Sequence, residues 1–230
     1  MDIEILADAD AVARRAADHV ATAARAAVAA CGRFVAAVSG GRTPWLMLRA
    51  LADRDVPWSG VHLLQVDERV APEGHADRNL THLRDSLLAR VPLPEEQLHA
   101  MPVELNDLEA GAAQYAATLR AIAGTPPVLD LVHLGLGADG HTASLIPGDP
   151  ALVVADRDVA VTDGYLGHRR MTLTFPLIDR ARGILWVVTG ADKAPMLARL
   201  RAGDPSIPAG RVRRDRALVL ADRAAAGPTD

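Results

Sequence analysis

Four short apolar runs, each ending in a polar or glycine-rich loop, constrain this chain more than any other feature. Arg33–Val38 runs into Ser39–Pro44, and Val61–Val66 into Asp67–Arg69. Val128–Leu134 runs into Gly135–His141, and Gly183–Val188 into Thr189–Lys193. Runs of this length, rich in β-branched residues, read as buried strands. Between them lie segments of helical spacing. Val12, Ala16, Val20, Ala23 and Ala27 mark the first helix, with Asp8 or Asp10 to cap it. Pro44–Leu51, Asn79–Arg90, Leu108–Ala123 and a stretch from Lys193 to about Leu200 are helical by the same pattern. Asp158–Thr162, Arg170–Thr174 and Ala217–Leu220 are further β candidates. Strands alternating with helices predict an α/β fold, a mostly parallel sheet covered on both faces. No linker of Pro, Gly or Ser and no fixed-period repeat interrupts residues 1–230, which read as a single domain.

In a parallel sheet all four loops open on one edge, where α/β proteins bind ligands. The Ser39–Thr43 loop suits an anion. Ser39 and Thr43 carry hydroxyls, Gly40 and Gly41 let backbone N–H groups point inward, and a helix begins immediately after. Lys193 occupies a matching loop and is the only lysine among 25 basic residues. A compact ammonium there is a point charge for a phosphate. Arg170 begins a strand with Thr172 and Thr174 on its side, and Arg169 faces the other way. In the second loop, Arg69 is placed to hold a substrate anion and Asp67 to position a hydroxyl or a histidine. In the third, Asp139 and His141 flank Gly140. An imidazole exchanges protons near neutral pH, so His141 is the candidate general base. The other seven histidines, His133 among them, read as solvated or hydrogen-bonded loop residues.

Several classes are excluded. Gly135, Gly137 and Gly140 satisfy G-x-G-x-x-G, but Pro147 and Pro150 leave no room for the helix that a dinucleotide needs, so no nicotinamide or flavin cofactor is expected. No histidine pair has metal-ligand spacing, and no metal is expected. Net charge is −4, and the cluster Arg213, Arg214 and Arg216 does not extend into a basic stripe, which argues against nucleic acid. No apolar run approaches the ~20 residues of a membrane span. One cysteine, Cys31, and no signal peptide predict a reducing, cytoplasmic compartment. Trp45, Trp58 and Trp186 read as packing residues.

The segments SGGRTP (Ser39–Pro44), VDERVAP (Val66–Pro72), RNL (Arg78–Leu80) and LDLVHLGLGADGHTASLIPG (Leu129–Gly148) lie in one order along the chain. RMTLTFP from Arg170, VTGADK from Val188 and IPAG from Ile207 follow. Together they resemble the 6-phosphogluconolactonases, relatives of the glucosamine-6-phosphate deaminases, over most of the chain. The resemblance implies a three-layer α/β/α sandwich with a modified Rossmann-like sheet. It implies hydrolysis of 6-phospho-D-glucono-1,5-lactone, a small sugar-phosphate lactone, in the oxidative pentose phosphate pathway, with no cofactor and no obligate protein partner. It places the general base on His141 and the phosphate site on the Ser39–Thr43 loop, Arg170 and Lys193. Either Asp139 or Asp67 orients the imidazole, and backbone N–H groups near Gly40 or in the Gly135–Gly140 loop receive the oxyanion. The deaminase pattern has Asn-Glu where this chain has Leu145-Ile146, and isoleucine cannot move a proton. Arg42 replaces a common serine, either reinforcing the phosphate site or facing solvent.

Overall fold

The structure is a computed structural model that describes residues 1–227. In chain order its main elements are β1 (Asp2–Leu6), α1 (Ala9–Cys31), β2 (Phe34–Val38), α2 (Arg42–Ala52), β3 (Val61–Gln65) and β4 (Asp67–Arg69). Then come α3 (Asn79–Ser86), β5 (Leu98–His99), α4 (Leu108–Ala123), β6 (Leu131–Leu134), β7 (Val159–Val161) and β8 (Arg170–Leu173). The chain continues through α5 (Phe175–Arg180), β9 (Ile184–Val188), α6 (Ala194–Ala202), β10 (Ala217–Asp222) and α7 (Arg223–Ala226).

Seven strands form one parallel sheet in the order β1-β10-β9-β6-β2-β3-β5. Every residue of β2, β6 and β9 is buried, which is why these strands read as unbroken apolar runs. One face of the sheet packs on α1, α2 and α3 through Val12, Ala16, Val20, Met47, Leu48 and Leu83. The other packs on α4, α5 and α6 through Tyr115, Leu119, Ile178, Leu197 and Leu200. The result is the expected α/β/α sandwich. Asp8, not Asp10, caps α1 by accepting from the Ala11 amide at 2.8 Å, and Gly32 ends the helix at φ 76°. Trp58 and Trp186 are core residues, and Trp45 stacks on His82 at 3.9 Å.

The structure corrects three expectations. Asp2–Leu6 is an edge strand, hidden in the sequence because its alternating acids break the apolar run. Asp67–Arg69 is not a loop. It is the first strand of a second, antiparallel sheet, β4-β8-β7, standing over the carboxyl ends of the large one. His133 is a buried residue of β6, and burial pushes its pKa down to about 3. His62 and His99 are likewise strand residues, joined Nδ1 to Nε2 at 3.1 Å. Burial, then the neighbouring His62, takes His99 down to about 4.

These histidines are neutral in the fold and take a proton near 6.5 when unfolded. The unfolded state therefore binds more protons below that pH, and stability falls as pH drops from about 6.5 toward the folded values. The melting temperature is expected to decline already between about pH 6.5 and 5, above the range where ordinary carboxylates titrate. A flat melting profile across that window would contradict the assignment.

Candidate active site

Three neighbouring strands of the large sheet, β2, β6 and β9, deliver three loops to one edge, and β4 with β8 closes the side. Between them lies a cleft of about 550 Å³. Ser39, Gly40, Gly41, Arg42, Thr43, Asp67, Arg69, His141, Arg170 and Lys193 all line it. Asp139 is held against it through His141.

The loop after β2 is fixed from beneath. The Ser39 hydroxyl donates to the His133 carbonyl at 3.0 Å, and its amide donates to His133 Nδ1 at 3.3 Å. Gly40 lies so close to Asn79 that a Cβ would come within 1.9 Å of Asn79 Oδ1. Gly41, at φ 122°, turns the chain into α2, whose first residues Arg42 and Thr43 line the cleft. Thr43 Oγ1 lies 2.6 Å from Thr189 Oγ1, tying this loop to the one after β9. There Lys193 Nζ meets Asp192 at 3.0 Å, and the Gly190 amide is held by Asp222 at 3.1 Å. Arg42 is exposed yet borders the cleft on the same side.

Strand alternation in β4 sends Asp67 and Arg69 toward the cleft and Glu68 away from it. Glu68 is fully buried. It accepts the amides of Arg69, Asn79 and Leu80 and the Gln65 side chain, each at 2.8 Å, and pairs with Arg78 at 3.2 Å. A carboxylate thus takes up the unpaired donors at the start of α3 and anchors the cleft wall. Asp67 accepts from the Ser144 hydroxyl at 2.6 Å and from Asn79 Nδ2 at 3.3 Å. Arg69 and Arg170 are register partners across β4 and β8. Like charges opposed in this way repel, and burial followed by the Arg69 charge disfavours the Arg170 cation. Both Nε groups are buried without a hydrogen-bond partner among the described residues.

The loop after β6 carries the candidate acid–base pair, Asp139 and His141. His141 Nδ1 lies 2.6 Å from Asp139 Oδ1, which also accepts the His141 amide at 3.1 Å. An ionised carboxylate can only accept, so Nδ1 donates to it, and in the neutral ring Nε2 is the nitrogen with the free lone pair. Burial raises the Asp139 carboxyl, but the His141 charge and the hydrogen bonds from His141 and Tyr165 outweigh it and hold the group below the usual carboxylate range. Gly137 has no alternative residue: a Cβ would lie 2.2 Å from His141 Nδ1 and 2.5 Å from Asp139 Oδ1. The amides of Gly137 and Gly140 are already spent on the carbonyls of His141 and Gly137. Leu145 and Ile146 are buried apolar residues beneath this loop.

Three residues of the site carried no role in the sequence reading. Asn79 and Ser144 lie inside the quoted motifs, and their positions there are the signal that could have found them. Tyr165 lies in a segment without a motif, and its hydroxyl donates to Asp139 Oδ2 at 3.1 Å.

A family profile described as glucosamine-6-phosphate isomerases/6-phosphogluconolactonase matches residues 7–220. The chain is 39% identical to the 6-phosphogluconolactonase of Mycobacterium tuberculosis, over 97% of this chain and 96% of that one. It is 39% identical to the 6-phosphogluconolactonase of a Nostoc species, over 87% and 85%. Among solved structures, the 6-phosphogluconolactonase of Thermotoga maritima superposes with a TM-score of 0.85 at 26% identity, over 96% of this chain and 98% of that one. A monomeric glucosamine-6-phosphate deaminase shares the fold at a TM-score of 0.84 and 18% identity, over 98% and 99%.

Proposed function

Because this chain belongs to the glucosamine-6-phosphate isomerase/6-phosphogluconolactonase family, we propose that its cleft hydrolyses 6-phospho-D-glucono-1,5-lactone to 6-phospho-D-gluconate with His141 as general base. The observation that carries this reading is the placement of an Asp139-supported imidazole in the same cleft as the cations Arg170 and Lys193. The Ser39–Thr43 loop, Arg170 and Lys193 grip the 6-phosphate, with Arg42 adding charge at the rim. Arg69 and Asp67 position the sugar.

His141 Nε2 takes a proton from water as its oxygen attacks C1. The carbonyl π electrons move onto oxygen, giving a tetrahedral oxyanion. The Gly137 and Gly140 amides are engaged on carbonyls, which leaves backbone N–H groups near Gly40 and the remaining amides of the 135–141 loop to receive this charge. When the oxyanion collapses, the C1–ring-oxygen bond breaks and the imidazolium returns its proton to the leaving oxygen. Asp139 holds the ring by Nδ1 throughout and stabilises the transient cation, without itself taking the proton. No covalent enzyme intermediate is needed, because a lactone is already an activated ester.

The alternative, deamination of an amino-sugar phosphate, lacks its proton relay, since Leu145 and Ile146 are apolar and buried. The test is a coupled assay in which the purified protein is expected to accelerate phosphogluconolactone hydrolysis above its spontaneous rate. Ammonia release from glucosamine 6-phosphate, with no lactone turnover, would reverse the assignment.

A further inference from the structure

We propose that Tyr165 is a positioning residue for the Asp139–His141 pair, a role that rests on the lactonase reading above. Tyr165 lies on the connection between β7 and β8, far in sequence from the loop it touches. Its hydroxyl donates to Asp139 Oδ2, and Asp139 Oδ1 serves the ring and amide of His141. Both carboxylate oxygens are therefore committed, and the carboxylate is not free to rotate away from the imidazole. The tyrosine ring stands edge-on to the His141 ring, with centroids 5.8 Å apart. The Arg170 guanidinium lies over the tyrosine, 5.0 Å from its centroid. One side chain thus connects the base, its carboxylate and a phosphate-site cation.

The connection is built to present this residue. Tyr165 and His168 exchange backbone hydrogen bonds of 2.9 and 3.2 Å. Leu166 at φ 50° and Gly167 at φ 85° form the tip, and the Leu166 side chain is left in solvent. A left-handed leucine is costly and persists only where its surroundings hold it. His168 supplies that hold, with Nδ1 3.2 Å from the Val70 carbonyl and Nε2 2.9 Å from Asp77 Oδ2. The phenol stays a donor, because burial and the Asp139 charge push its pKa up.

A donor on Oδ2 also withdraws charge from Asp139 and so tempers how firmly the carboxylate keeps a proton on His141. The charged groups facing the same cleft as the imidazole are Asp139 on its own loop, Asp67 and Arg69 on β4, Arg170 on β8, and Asp192 and Lys193 on the loop after β9. Phenylalanine at 165 changes none of these charges. Its effect on His141 therefore isolates the hydroxyl.

The test compares Tyr165→Phe and Tyr165→Leu with the parent protein, by lactone hydrolysis and by NMR titration of the His141 ring. Tyr165→Phe is expected to lower kcat about tenfold, the effect of losing one hydrogen bond to a charged group, with KM within about twofold. The acid limb of kcat/KM and the His141 titration should both move to higher pH, by about half a unit. Tyr165→Leu should add a rise in KM, because Arg170 loses its ring. A Tyr165→Phe protein with parental kcat, or with lowered kcat and an unmoved His141 titration, would overturn the proposal. If the parent protein fails to hydrolyse the lactone, the functional reading falls, and the NMR shift alone still decides whether Tyr165 governs His141.

Discussion

His141→Ala is expected to lower kcat by about 10²- to 10⁴-fold, the range over which a positioned general base contributes, while leaving the affinity for 6-phosphogluconate nearly unchanged. The separation follows from the geometry. His141 makes its one side-chain bond within its own loop, to Asp139, and the cations of the cleft do not lean on it. Removing the imidazole takes away the proton acceptor and leaves the grip on phosphate intact. Because the substrate hydrolyses on its own, the rate must be read as excess over the uncatalysed reaction. Product binding measured by calorimetry supplies the other half of the comparison. Turnover unchanged in the alanine protein would remove His141 from the mechanism. Affinity lost together with turnover would point to collapse of the 135–141 loop instead.

Lys193→Ala should act in the opposite sense, raising KM by about 10- to 100-fold with kcat within a few-fold. Its basis is the loss of one charge-assisted hydrogen bond to the phosphate. Lys193 starts from an ion pair with the exposed carboxylate of Asp192, so the ammonium is exchanged between carboxylate and substrate and part of the gain is repaid. Lys193→Arg should recover affinity only partly, because a planar fork does not replace a compact charge between two loops joined by Thr43 and Thr189. Initial rates over a range of lactone concentration measure the effect. An unaltered KM would take the lysine out of the phosphate site.

The central architecture was legible because buried parallel strands announce themselves as unbroken apolar runs. β2, β6 and β9 are of this kind, and so are the loops that they carry. His141, Asp139 and Lys193 could be picked out because each sits directly after such a run. The edge strand β1 could not, since two of its five residues are exposed and the other three are only partly buried. Asp67–Arg69 was legible as chemistry but not as structure: three charged residues have no strand signature of their own, and only pairing with β8 makes them one. The choice between Asp139 and Asp67 as neighbour of the imidazole depended on side-chain geometry. In the structure Asp139 touches His141, and Asp67 is occupied by Ser144 and Asn79. Tyr165 was invisible because its partners lie on other segments and no local pattern marks it.

The buried pair Leu145 and Ile146 bears on redesign. Both side chains are buried at the positions where the deaminase sequence pattern has Asn-Glu. Writing a glutamate at 146 would put an ionisable group at a buried position, where without a partner it would bind a proton or disrupt its neighbours. Interconverting the two chemistries on this scaffold is therefore expected to require hollowing and rewetting the floor beneath His141, more than a point change aimed at the proposed reaction centre.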